Sequence, residues 1–437
     1  DWRAGAVVYQ VFVDRFAPAE NFHAKTSLYP APKRMRHWHE TPAKGHFVES
    51  AGVWSHEIDF WGGDLQSVRA KLGHLEAIRA DVLYLNPIHL AYTNHKYDSA
   101  DYLEISPEYG SRADLRMLVG DAHARGLKVV LDGVFNHVGK RHRFFEEAMR
   151  DPHSPNRSWF FIGSEYPNGY RGWADVANLP DLHVERDEVR DQLWRAHDSA
   201  VRSYLRDGID GWRLDVASDL GPHFLRELTE AAHEEKQGAL VVGEIWNAPA
   251  GWDRALDGIL NMNLRMTLLD YCAGRVDGHA TAHRLKDMVE DAGIEFILRC
   301  WSTLENHDTP RLARLVPDLA ARRIAILLDL PGLQREAQAL GAEGMYDECA
   351  LDFVDHEAQF PLPDAPNAQD PCEGLEERLE NMRALQRLQT AARDVHASVH
   401  GAYGPVRPSY AWTAPAGGDG HDAHAHGHGD GHGDGNE

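Results

Sequence analysis

Three acidic residues in this 437-residue chain each close a short apolar run, at the place where a β-strand would end. In GWRLDV at 211–216, Arg213 precedes Asp215 by two residues, so both side chains leave the same face of a strand. A guanidinium so placed lowers a carboxylate's pKa by ~1–3 units, and Asp215 is expected to stay ionised, as a nucleophile must. In VVGEIW at 241–246, Glu244 is a lone acid in an apolar run beside Trp246. Such surroundings raise a carboxyl pKa and suit a general acid. LENHDTPR at 304–311 supplies Asp308 next to His307. Three carboxylates delivered to one mouth fit glycoside hydrolysis, two flanking the scissile bond and a third gripping sugar hydroxyls. Taken singly, each reads more readily as a solvated strand-end acid; the coincidence of three, with their motif contexts, is what speaks for chemistry.

The elements that would carry these residues alternate. Short β-branched runs at 7–13, 82–85, 127–131, 211–216, 240–245 and 294–298 predict near-continuously apolar parallel strands. Amphipathic stretches at 65–78, 111–124, 187–205 and 221–235 predict the helices between them. An α/β repeat over this length favours a (β/α)8 TIM barrel. A doubly wound sheet would place a glycine-rich phosphate turn after its first strand, where this chain has DRF at 14–16. Polar residues also gather at the strand ends, at Asp14, Asn86, Asp132, Asp215, Glu244 and Asp308, and a barrel builds its sites there.

Two stretches break the alternation. From His137 to Leu182 the chain is rich in Pro, Asn, Gly, His and aromatics without period, which predicts a small inserted subdomain at 138–182 after the third strand. The end of the chain, 416–437, is a Gly, His and Asp tract that cannot bury a core and is expected to be disordered. The catalytic barrel is thus expected over 1–394, with 395–415 a curtailed C-terminal remnant.

Charge and composition narrow the partners. Lys plus Arg number 45 against 68 Asp plus Glu, a formal net charge of −23, which repels phosphate backbones and anionic lipid. Neither nucleic acid nor a membrane is an expected partner, and no apolar run reaches the ~18 residues of a spanning helix. Cys272, Cys300, Cys349 and Cys372 form no CxxC pair and read as free thiols. The N-terminus carries no charged-then-apolar leader pattern, which points to the cytoplasm, although residue 1 is Asp and a leader or domain preceding it is compatible with the sequence.

The motifs, in their order, resemble those of the α-amylase superfamily of retaining glycoside hydrolases over roughly residues 5–312. DGVFNH at 132–137 resembles the first family motif, GWRLDV the second, GEIW at 243–246 the third and NHD at 306–308 the fourth. The resemblance implies Asp215 as nucleophile, Glu244 as acid/base and Asp308 as stabiliser of the transition state. It also implies that His137 and His307 donate hydrogen bonds to the sugar, that Arg213 positions the nucleophile and that Asp132 supports the first motif. NHKYDSADY at 94–102 resembles the stretch that supplies a stacking Tyr97 and a supporting Asp98. Trp54, Trp61, Tyr92, Trp173 and Trp246 are further candidates for sugar stacking, while Trp212 reads as core.

YQVFVDRF at 9–16 and FWGGDL at 60–65 are most similar to the neopullulanase, cyclomaltodextrinase and maltogenic amylase group, which implies cyclic, branched or short α-glucan oligosaccharides as substrates. ANLPDL at 177–182, together with Ser218 and Asp219, departs from that group and leaves the choice between α-1,4 and α-1,6 bonds open. That group commonly carries an N-terminal β-sandwich that assists dimerisation; none precedes the barrel here, and the oligomeric state stays open. After LPG at 330–332 an apolar eighth strand is replaced by a polar, helix-like segment, with ALDFV at 350–354 as a substitute strand and a helix near 375–392. No cofactor is expected. Glu20 and Asn21 are too few for calcium, and the tail histidines 421, 424, 426, 428 and 432 imply only loose transition-metal binding. A transglycosylating or isomerising enzyme, and a catalytically impaired binding relative, are the alternatives.

Overall fold

The structure, a computed structural model, describes residues 1–317. The expected segments at 330–332, 350–354 and 375–392, the 395–415 remnant and the tail lie outside the described residues, as does the far end of the 1–394 barrel.

Six parallel strands form one curled sheet: β1 (Val8–Val11), β2 (Val82–Leu85), β3 (Lys128–Gly133), β4 (Gly211–Leu214), β5 (Leu240–Ile245) and β6 (Gly258–Asn261). They pair in chain order, each with the next. A seventh position continues the series, since Trp301 bridges Leu260 in parallel and exchanges backbone hydrogen bonds with Ile259 and Asn261. Strands joined through helices in this order are the expected barrel arrangement.

The strands' two faces separate cleanly. Val8, Val82, Tyr84, Val130, Leu240, Val242 and Leu260 pack with Trp301 into one buried cluster inside the curl. Their odd-even neighbours, among them Tyr9, Leu83, Val129, Leu131 and Val241, pack into a larger cluster against the helices. The period of two that makes this separation also determines which polar residues reach the interior. Gln10, Asp132, Arg213 and Glu244 share the parity of the inward residues.

Helix Arg112–Ala124 shows why these segments fold as they do. Ser111 accepts from the Asp114 backbone N–H while the Asp114 carboxylate accepts from that of Ser111, and Leu115, Leu118, Val119 and Ala122 turn one face into the core. The expected helix at 65–78 divides into Leu65–Ala70 and Leu72–Ala77. That at 187–205 is interrupted between Arg195 and Ala200, and that at 221–235 begins earlier, at Ala217, with a kink at Gly221.

One expected strand is overturned. Residues Ile294–Ile297 form a helical turn, not a strand. Gly293, at φ 82°, ends the preceding helix, Gly278–Ala292, and the chain turns at once to bury Phe296. The sixth strand is instead the four-residue Gly258–Asn261, too short to show a period. Within 137–182, helix Arg143–Arg150 and two 3-10 turns, Pro155–Trp159 and Trp173–Asp175, are closed by isolated antiparallel bridges His137 to Asp181 and Gly172 to Pro180, so the excursion returns to where it left β3.

Candidate active site

Arg213 is the centre of the site. It lies on β4, 1% exposed, in register with Asp132 on β3 and Val242 on β5. Its Nη1 donates to Asp132 Oδ1 at 2.8 Å and to Asp215 Oδ1 at 2.8 Å. Its Nη2 stands 2.9 Å from Glu244 Oε2 as an ion pair without hydrogen-bond geometry. One guanidinium therefore faces three carboxylates from three adjacent strands. Burial opposes its charge, but Asp132, Tyr84, Glu244 and Tyr97 raise its pKa well above the ordinary value, so it stays protonated.

That sharing corrects the expectation for Asp215. Its carboxyl is held well above the usual range, with burial the largest cause; Arg213 pulls the other way, and Glu244, Asp132 and Asp308 push it further up. The arginine at two residues' distance was legible in GWRLDV, but the neighbours that divide its charge were not. Glu244 likewise is not a lone acid among apolar groups. Besides Arg213, its Oε2 accepts from the Val216 backbone N–H at 3.2 Å and its Oε1 from the Trp246 indole Nε1–H at 3.2 Å. Trp246 itself is 46% exposed, so its ring faces solvent beside the acid.

Asp132 has more donors than the arginine. Tyr84 OH reaches its Oδ2 at 2.5 Å and Tyr97 OH reaches the same oxygen at 2.9 Å. Burial keeps both phenols protonated, so both can donate. Tyr97 sits in the turn between the antiparallel strands His89–Ala91 and Ser99–Ile105, with Lys96 before it at φ 64°. Asp98 faces the turn and not the site: its carboxylate accepts from the Thr93 backbone and hydroxyl. Gly139 packs on this turn, where a Cβ would come within 2.3 Å of the Asp98 carbonyl oxygen.

His307 and Asp308 come from the loop after Trp301. His307 Nε2 lies 2.7 Å from Tyr97 OH and 3.3 Å from Asp308 Oδ2. Asn306 accepts the Asp308 backbone N–H through Oδ1 at 3.1 Å, which turns the loop. His137 is 1% exposed, and among the described residues neither ring nitrogen has a hydrogen-bond partner. Burial pushes its pKa down to about 3 and that of His307 well below the ordinary value, so both rings are neutral. Trp173, from the 137–182 excursion, lies 5.8 Å from His137.

The structure thus gathers Asp132, Arg213, Asp215, Glu244, Tyr97, His307, Asp308 and Trp246 around one guanidinium and its partners. Several other candidates are occupied elsewhere. Asp14 accepts the backbone N–H groups of Trp61 and Gly62. Trp61 is covered by Arg15, whose guanidinium carbon lies 4.4 Å over its ring, and Arg141 lies 3.4 Å over Tyr92. Trp212 is fully buried, as its place in a strand suggests. Sequence reasoning missed Gln10, Tyr84 and Val216. The first two carried a signal in their inward parity, while the left-handed backbone of Val216, at φ 46°, had none.

No group of three metal-ligating side chains occurs among the described residues, and none of the described helices is long and apolar enough to cross a membrane. Residues 10–330 match the model of the α-amylase catalytic domain. Neopullulanase 2 of Thermoactinomyces vulgaris is 32% identical over 349 residues, covering 76% of this chain and 54% of the relative. A cyclomaltodextrinase of Thermoanaerobacter pseudethanolicus is 30% identical over 336 residues, covering 74% and 54% respectively. The chain therefore spans about half the length of the curated relatives it matches. Among solved structures, a cyclic α-maltosyl-(1→6)-maltose hydrolase of Arthrobacter globiformis superposes with a TM-score of 0.72 at 28% identity, over 89% of this chain and 83% of that one.

Proposed function

This chain belongs to the α-amylase family of glycoside hydrolases, and on that premise we propose that it cleaves α-glucosidic bonds in cyclic, branched or short α-glucans by double displacement with retention. The observation that carries the reading is the single guanidinium of Arg213 touching both Asp215 and Glu244. Carboxyls bridged this closely leave a nucleophile near the anomeric carbon, whereas an inverting pair is spaced to admit a water between.

In the first step Asp215 attacks the anomeric carbon as the glycosidic C–O bond breaks, and Glu244 gives its proton to the departing oxygen. In the second, Glu244 takes a proton from water as that water attacks. The ester bond to Asp215 then breaks and the sugar leaves with its original configuration. Asp308 holds hydroxyls of the distorted ring. Tyr97, His137 and His307 surround it, and the neutral, buried ring of His137 is suited to a sugar hydroxyl. The exposed ring of Trp246, hydrogen-bonded to the acid, offers a stacking face on the leaving-group side. The names of the similar proteins, which concern pullulan, cyclomaltodextrins and a cyclic maltosyl-maltose, support this substrate class.

The test is to incubate the chain separately with β-cyclodextrin, pullulan and maltotriose and to follow the first-formed anomer by proton NMR. Release of α-configured maltose or panose is expected. A β-configured first product would overturn the retaining mechanism, and a cooperatively folded protein that releases no sugar would overturn the substrate class.

A further inference from the structure

We propose that Gln10 is a positioning residue that sets the tautomer of His307 and thereby holds the Nε2–H of that ring on the side of Tyr97 and Asp308. The inference deepens the glycosidase reading and rests on it for its kinetic consequence, but not for its structural content.

Gln10 lies on β1 with inward parity, across the curl from the catalytic acids. Its Nε2 stands 2.9 Å from Asn86 Oδ1 and 2.8 Å from His307 Nδ1. Asn86 Nδ2 is in turn 3.2 Å from Tyr97 OH, and Tyr97 OH is 2.7 Å from His307 Nε2 and 2.9 Å from Asp132 Oδ2. The contacts make a ring, Gln10 to Asn86 to Tyr97 to His307 and back, joined to Asp132 through Tyr97 and to Asp308 through His307 Nε2 at 3.3 Å.

Counting protons around the ring settles its direction. Tyr97 has one hydroxyl proton to share among its contacts with Asn86, Asp132 and His307. If the Gln10 amide donates, both its hydrogens are used, one on Asn86 and one on His307 Nδ1. His307 then carries its proton on Nε2 and donates to Tyr97, Asn86 donates to Tyr97, and Tyr97 donates to Asp132. Each of these contacts then holds one proton, and the same Nε2–H faces Asp308 Oδ2 at 3.3 Å. With both amides reversed, Tyr97 faces Asn86 Oδ1, Asp132 Oδ2 and a bare His307 Nε2 with a single proton. Two of those three contacts, including at least one under 3 Å, then hold none, an arrangement disfavoured in a buried network. Asp132 meanwhile receives from Arg213 and Tyr84 as well, which keeps it the acceptor at the end of the chain.

His307 is a neutral ring with two inequivalent nitrogens, and which one donates is decided by the bond the other makes. Gln10 makes that bond from outside the motif that contains His307, nearly three hundred residues away in sequence. The two side chains to which its amide donates are His307 and Asn86, neither of them nucleophile nor acid, so among these contacts it acts on the site through that pair.

The experiment uses the full chain labelled with 15N at histidine, with the His307 signals identified by their loss in His307→Asn. The wild-type ring is expected to be neutral and protonated at Nε2. Gln10→Leu, which removes the donor, should bring in the Nδ1–H form. Gln10→Glu, which once ionised can only accept, should make Nδ1–H the major form at pH above the titration of that carboxyl. On β-cyclodextrin both variants should lose roughly tenfold or more in kcat with KM within about twofold, because the donor is misdirected and not the binding cleft. A wild-type ring protonated at Nδ1, a tautomer unchanged in both variants, or a shifted tautomer with unchanged kcat would each overturn the proposal. If the wild type hydrolyses no glucan, the glycosidase reading falls while the spectra still decide the tautomer.

Discussion

The backbone N–H of Val216, held in the left-handed region at φ 46°, donates to Oε2 of Glu244 at 3.2 Å. A β-branched residue in that conformation is an outlier, costing on the order of 1–3 kcal/mol. Here the unusual turn directly after Asp215 aims the N–H across to the acid on the next strand. Strain at one carboxylate's flank positions the other.

Val216→Gly should therefore be tolerated. Glycine enters φ > 0 without a Cβ clash, and its extra chain entropy offsets the relief by about 0.5–1 kcal/mol. The expected melting temperature lies within a few degrees of wild type and kcat within about threefold. Thermal denaturation and steady-state kinetics measure both, and a large drop in melting temperature would refute the strain argument.

Arg213→Lys should fail as a conservative change. A single ammonium cannot reach Asp132, Asp215 and Glu244 together as the planar fork does. Activity is expected to fall by about a hundredfold or more. Arg213→Ala leaves three buried carboxylates without a cation and should lower stability by about 3–5 kcal/mol in urea titrations. A variant as stable as wild type would show that the acids find another partner.

Asp215→Asn should abolish turnover and raise stability. The folded-state carboxyl lies above its unfolded value, so the native state favours the protonated form and ionisation costs it free energy. That cost is absent below the unfolded pKa near ~3.9, grows as pH rises through the raised native pKa, and is complete above it. The variant should melt a few degrees higher than wild type at neutral pH, with the gap closing in acid. A lower melting temperature at neutral pH would show that the Arg213 contact outweighs burial.

The same shift predicts the acid limb of kcat/KM. Protonated Asp215 cannot attack, so activity should fall as pH falls, with a midpoint above the ordinary aspartate value of about 4. His137, brought to about 3, and His307, also depressed, should contribute no limb near neutrality. A limb near 6.5 that disappears in His307→Gln would contradict this assignment.

Trp246→Phe keeps a stacking face but loses the indole N–H on Glu244 Oε1, so it should affect kcat more than KM. Trp246→Ala loses both and should raise KM as well. Measurement of both variants on one oligosaccharide separates the two roles.

Much of this molecule could be read from short stretches of chain. The acids of GWRLDV, GEIW and NHD, and five of the six strands, were visible because a strand's apolar run and the residue that ends it are local features with a period of two. The strand Gly258–Asn261 was not, being four residues without alternation, and the apolar 294–298 segment has a strand's composition although Gly293 turns the chain into a helix there. Contacts between distant segments were beyond any local signal. That Arg213 divides its charge among three acids, that Trp61 and Tyr92 spend their faces on Arg15 and Arg141, and that Gln10 meets His307 depend on how the sheet curls. Sequence alone determined which chemical groups stand at the strand ends. The tertiary structure decided their ionisation, partners and proton positions, because those depend on distance and burial, which fall into place only when strands far apart in the chain become neighbours.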